Sequence, residues 1–99
     1  MLSVLQTEEF EDWLDGLVDK TAQKAVRNRI LQIAGGLLGD VRSLGGKVSE
    51  ARIHYGPGYR LYFTLQGLVA IILLCGGEKR SQKRDIAKAK KLVSQLGDE

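Results

Sequence analysis

The sequence predicts an α+β fold: an N-terminal strand, a helical hairpin packed on a curved, mostly antiparallel sheet of about four to five strands, and a C-terminal helix. Three observations predict it. Apolar residues recur at helical spacing from Phe10 to Leu37, the period changes to alternation after Asp40, and helical spacing returns after Gln82. The 99 residues read as a single domain, 1–99, with room for one modest core.

Met1 to Leu5 is short and apolar and reads as a first or edge strand. Thr7 is placed to cap a helix whose first turn holds Glu8, Glu9 and Glu11, carboxylates that complement the helix dipole. Phe10, Trp13, Leu14, Leu17 and Val18 form its apolar face. Asp19 caps a second helix carrying Val26, Ile30, Ile33 and Leu37 on one stripe, ended by Gly35, Gly36 and Gly39. The short link between the two makes them a hairpin.

Val41 to Leu44 reads as a short strand turned by Gly45-Gly46. From Val48 to Tyr55 the chain alternates, with Ala51, Ile53 and Tyr55 on one face and Glu50, Arg52 and His54 on the other. Gly56-Pro57-Gly58 is a turn, bracketed by Tyr55 and Tyr59. The strand from Tyr59 to Gln66 turns Leu61, Phe63 and Leu65 to the core and Arg60, Tyr62 and Thr64 away from it. Gly67 leads into Leu68 to Cys75, apolar on both faces and therefore a central strand, which Gly76-Gly77 ends. From about Gln82 a last helix turns Ile86, Ala89, Leu92, Val93 and Leu96 inward, with Lys83, Arg84, Lys88, Lys90 and Lys91 outward. Arg52, His54, Arg60 and Tyr62 are expected to project from the sheet face opposite the hairpin.

Charge is divided along the chain. Residues 1–40 hold seven acids against four bases, a balance of −3, and residues 41–99 hold eleven bases against five acids, a balance of +6. A surface that separates the signs in this way attracts polyanions. No apolar run approaches the ~20 residues of a membrane span, so no membrane role is expected. The start of the chain has no basic segment followed by an apolar one. Together with the lone Cys75, read as a buried thiol, this suggests a cytoplasmic protein.

One histidine and one cysteine do not build a metal site, and no cofactor motif is present. The basic residues are the chemically informative set. Arg52 and Arg60 sit on neighbouring strands, and Lys79 and Arg80 follow the last strand, so that the four can converge on one concave surface. A guanidinium offers a planar fork of donors to phosphate oxygens. Arg60 is equally placed to pair with Glu50 as a structural ion pair. His54 reads either as a general base or as an ordinary surface residue, and Tyr62 either as a stacking platform for bases or as structural.

Tyr55-Gly-Pro-Gly-Tyr-Arg-Leu-Tyr-Phe63, preceded by Ser49-Glu-Ala-Arg-Ile53 and followed by Leu73-Leu-Cys-Gly-Gly-Glu-Lys79 and Asp85-Ile-Ala-Lys-Ala89, resembles the RelE/ParE superfamily of toxins. Within it the chain is most similar to the HigB-like, phage-derived addiction module killer proteins, over nearly its whole length. The resemblance implies a RelE-like fold and the toxin of a type II toxin–antitoxin module: a ribosome-dependent mRNA interferase whose 2′-hydroxyl attack on phosphate needs no metal or other cofactor. It implies a cognate antitoxin, typically with a helix-turn-helix domain, and a possible heterotetramer with it, besides the ribosome and its mRNA as partners. Arg60 matches the family's catalytic strand arginine, Lys79 or Arg80 the basic residue after the last strand, and Arg52 a basic residue on the preceding strand. Arg80, His54, Tyr62, Lys83 and Arg84 would then face the RNA. Glu50 stands near where ribonuclease members can carry a further base, and Asp85 stands where an acid or base of the last helix is expected. A ParE-like poison of DNA gyrase, or a non-catalytic homologue that binds only an antitoxin, are the alternatives these departures leave.

Overall fold

The computed structural model describes residues 2–96, so Met1, which the sequence places at the head of the first strand, lies outside the described residues. The strand itself, β1, runs Ser3–Gln6, followed by the helices α1 (Glu8–Asp15) and α2 (Lys20–Ala34). Strands β2 (Val41–Gly45), β3 (Val48–Ile53), β4 (Tyr59–Gln66) and β5 (Ala70–Glu78) come next. A 3₁₀ turn, Lys79–Ser81, then leads into α3 (Gln82–Gln95). The five strands form one mixed sheet in the order β1-β5-β4-β3-β2, with β1 parallel to β5 and the other neighbours antiparallel. The α+β class with a hairpin, sheet and final helix is as expected.

Local chemistry explains the helix boundaries. Thr7 Oγ1 accepts the Phe10 N–H at 3.0 Å and donates to the Leu74 carbonyl at 2.6 Å, so one hydroxyl caps α1 and pins it to β5. Thr7→Ala is therefore expected to destabilise the protein by about 1–2 kcal/mol, read by chemical denaturation. Asp19 caps α2 by accepting from Thr21 and Ala22. At the far end Gly36, with φ of 95°, takes the left-handed conformation of a Schellman motif. Its N–H reaches the Ile33 carbonyl and the Leu37 N–H reaches that of Gln32. That turn throws Leu37 off the helical stripe, where the sequence had placed it, and leaves it exposed. Val18 and Leu96 also lie outside the core, at the ends of α1 and α3.

The sheet departs from expectation in three places. Gly46 and Lys47, both at positive φ, make the β2–β3 turn, while Gly45 remains in β2 beside a bulge. The apolar run after Gly67 is an internal strand, but β4, not β5, is the middle strand of the sheet. And β5 does not stop at Gly76-Gly77; it pairs with β4 as far as Glu78. The Tyr55 and Tyr59 rings stack across the β3–β4 turn, and the Tyr55 hydroxyl donates to Asp19, tying that turn to the α2 cap.

Both sheet faces are covered. The hairpin packs Phe10, Leu14, Val26, Ile30 and Ile33 on Ala51, Leu61, Phe63, Ile71 and Leu73. On the other face α3 lays Ala89, Ile86, Leu92 and Val93 on Val48, Tyr62, Leu74 and Cys75. The surface expected to be open to RNA is thus roofed over its centre by α3. Tyr62 is fully buried beneath it and cannot stack on a base. None of the helices among the described residues is long and apolar enough to cross a membrane.

Candidate anion-binding site at the head of the last helix

Strand register builds the site. Arg52 of β3 lies opposite Arg60 of β4, which lies opposite Gly77 of β5. The neighbouring row is Glu50, Tyr62 and Cys75. Both rows belong to the face under α3, and the first sits where α3 begins.

Two glycines allow the helix to start so close to the sheet. A Cβ on Gly77 would overlap the Asp85 carboxylate and stand 3.0 Å from Ser81 Oγ, while a Cβ on Gly76 would enter the Trp13 ring on the opposite face. Glycine within a strand often marks such a close approach. Asp85, buried above Gly77, accepts from Ser81 Oγ at 2.5 Å, and Ser81 Oγ accepts the Glu78 N–H at 3.2 Å. The pair fixes the 3₁₀ turn that carries Lys79 and Arg80.

Glu50 is wholly buried at the centre of this arrangement. Gln82 Nε2 donates to one carboxylate oxygen at 2.8 Å, and the other lies 3.4 Å from both Arg60 Nη1 and Arg42 Nη2. Of the two readings open for Arg60 from spacing, the ion pair with Glu50 is present. Arg60 is 8% exposed, and its Nε, itself buried, has no hydrogen-bond partner among the described residues. A buried guanidinium held at one end with an unpaired donor retains capacity for a further acceptor. Burial, then the nearby Glu50 charge, raise the Tyr62 pKa, and burial pushes the Cys75 thiol up to about 12. Neither group ionises near neutrality.

A second carboxylate organises the sheet edge. Asp40 Oδ1 receives Arg52 Nη2 at 2.9 Å and Nε at 3.3 Å, and Oδ2 lies 2.6 Å from His54 Nε2. Arg29 of α2 fixes the loop from below, donating to the carbonyls of Leu38, Asp40 and Arg52. The His54 hydrogen bond, then that from Arg52, hold the Asp40 pKa below the usual carboxylate range. Its contribution to stability is therefore complete above that range and lost as pH falls through the lowered value.

The remaining basic residues are exposed. Lys79 packs against the 56–58 turn, its Cβ 3.4 Å from where one on Gly58 would be. Arg80 pairs with Glu78 at 3.3 Å, with 88% of its side chain exposed. With Ser81, Lys83 and Arg84 it lines a shallow depression of about 620 Å³. A smaller one of about 200 Å³, lined in part by Gly76, Gly77, Asp85 and the same two arginines, adjoins it. The structure thus gathers Arg80, Lys83 and Arg84 at the head of α3, while Arg60 is buried against Glu50 and both Arg52 and His54 are held by Asp40 at the sheet edge; Arg52, Arg60 and Lys79 line neither depression. Glu50, Ser81, Gln82 and Asp40 join this network, although the sequence reading gave them no site role. The Gly76-Gly77 pair inside an apolar strand was the signal that something packs closely there.

The described residues form an α+β protein with a five-stranded mixed sheet, three helices and a buried carboxylate–arginine centre under a basic rim. No family model matches it. The chain is 38% identical over 96 residues to an uncharacterized protein of Haemophilus influenzae, covering 97% of both sequences, and it belongs to the same family as that protein.

Proposed function

We propose that the protein is the toxin of a type II toxin–antitoxin module in the RelE/ParE superfamily, acting in the cytoplasm as a ribosome-dependent mRNA interferase. The observation that carries the reading is Arg60: a guanidinium oriented by a buried carboxylate, with an unpaired Nε, opposite Arg52 and close to the basic rim. In the reaction the 2′-hydroxyl of one nucleotide attacks the adjacent phosphate. The 5′-oxygen of the next nucleotide leaves, and a cyclic phosphate remains. Arg60 and Lys79 hold the charge that develops on the phosphoryl oxygens, and preformed donors of this kind are the largest single source of such catalysis. Arg80, Lys83 and Arg84 steer the RNA by its phosphates. A cognate antitoxin of the helix-turn-helix type, forming a heterotetramer with the toxin, would neutralise the basic rim with acidic residues.

One observation favours a second reading. Glu50 and Asp40 already partner Arg60 and Arg52, which suits a gyrase poison or a homologue that only binds an antitoxin. Brief induction followed by mapping of cellular RNA ends separates these. The interferase reading expects growth arrest with new ends inside translated messages. It also expects an Arg60→Lys variant, which keeps the charge but loses the fork, to cut about 100-fold more slowly. Intact messages with trapped gyrase–DNA complexes would move the assignment to gyrase, and no growth arrest would leave antitoxin binding alone.

A further inference from the structure

We propose that His54, held by Asp40, is the general base that takes the proton from the attacking 2′-hydroxyl. This assignment rests on the ribonuclease reading above and names a group that reading lacks. The geometry is that of an oriented base: Asp40 Oδ2 sits 2.6 Å from His54 Nε2, and 75% of the side chain is open to solvent. With the proton on Nε2, directed at the carboxylate, the Nδ1 lone pair faces outward, as a base oriented by a carboxylate requires.

Its position fits the rest of the site. The same Asp40 carboxylate holds Arg52, and Arg52 lies directly opposite Arg60 in the sheet. One bridging carboxylate thus places the imidazole beside the Arg52 guanidinium, one strand across from Arg60. Four other groups near the site are poorly placed to serve as the base. Glu50 and Asp85 are buried in hydrogen bonds, Tyr62 is buried with a raised pKa, and Cys75 is buried with its pKa pushed up to about 12.

In the step, the 2′-hydroxyl proton passes to His54 Nδ1 as the 2′-oxygen–phosphorus bond forms. The bond from phosphorus to the 5′-oxygen breaks, that oxygen takes a proton from water, and the imidazolium returns its own to solvent. The charged groups facing His54 are Asp40 from the loop before β2 and Arg52 from β3, with Arg29 of α2 holding the Asp40 carbonyl. A general base works only in its unprotonated form, so the rate is expected to fall at acidic pH. Asp40 is a positioning residue.

The test uses the purified protein with mRNA-programmed ribosomes across a pH series. His54→Gln, which can still donate to Asp40, is expected to bind ribosomes as the wild type does, cut about 100-fold or more slowly, and lose the acid limb of the profile. Added imidazole should restore part of the rate to His54→Gly. Cleavage by His54→Gln at the wild-type rate, with an unchanged pH profile, would overturn the role of His54 and leave the interferase reading standing. A wild type that cuts no mRNA would overturn both.

Discussion

Glu50→Ala is expected to destabilise the protein by about 3–5 kcal/mol, because it leaves the Arg60 guanidinium buried with no counter-charge. That is a large share of the roughly 5–15 kcal/mol that holds a domain of this size together. Glu50 has no exposed surface, and its removal also strands the Gln82 amide that anchors the first turn of α3. Arg42 is half exposed and can turn to water, so the loss concentrates on Arg60 and Gln82. The reverse change, Arg60→Ala, strands Glu50 instead, and any loss of activity would then be confounded with loss of fold. Replacing both, Glu50→Leu with Arg60→Met, should recover most of the stability while abolishing activity. Chemical denaturation of Glu50→Leu, Arg60→Met and the double variant gives a coupling energy. Additive losses would mean that the pair contributes little and that Glu50 does not orient Arg60.

Gly77→Ala is expected to destabilise by about 1–3 kcal/mol or more, through overpacking against Asp85. The added methyl would meet the Asp85 carboxylate and Ser81 Oγ, and neither is a free surface group. Relief requires the head of α3 to lift, which draws Gln82 away from Glu50 and shifts Lys79 and Arg80. Loss of stability should therefore come with loss of cleavage. Gly76→Ala meets the Trp13 indole instead, which is wedged between Phe10 and Tyr59 at centroid distances of 5.6 and 6.3 Å. It should destabilise without moving the basic rim. Pairing Gly77→Ala with Asp85→Ser would reopen the space, and the double variant should melt above the single one. A Gly77→Ala protein as stable as wild type would show that α3 does not depend on this contact.

The parts of the fold that local chemistry decides were legible in the sequence. Thr7 and Asp19 announce their helices because a cap acts within three residues. Leu37 misled because helical spacing continues through Gly35-Gly36, whereas the backbone turns left-handed at Gly36. The glycines at 76 and 77 carry a double meaning, strand end or close approach, and only the packed Trp13 and Asp85 select the second. Alternation placed Arg60 and Tyr62 on the face away from the hairpin, yet gave no sign that α3 would cover it. The site was legible as a set of cations and illegible as a network. Glu50 meets Gln82 from 32 residues away and Asp40 meets His54 from 14, and those separations leave no periodic trace.

The most direct measurement is cleavage of a defined message in a reconstituted translation system, with the purified protein added in the presence or absence of ribosomes. The interferase account predicts fragments bearing cyclic phosphate and 5′-hydroxyl ends only when ribosomes are translating, with cutting sharply reduced by Arg60→Lys. Full-length message and uninterrupted translation at the same protein concentration would contradict it.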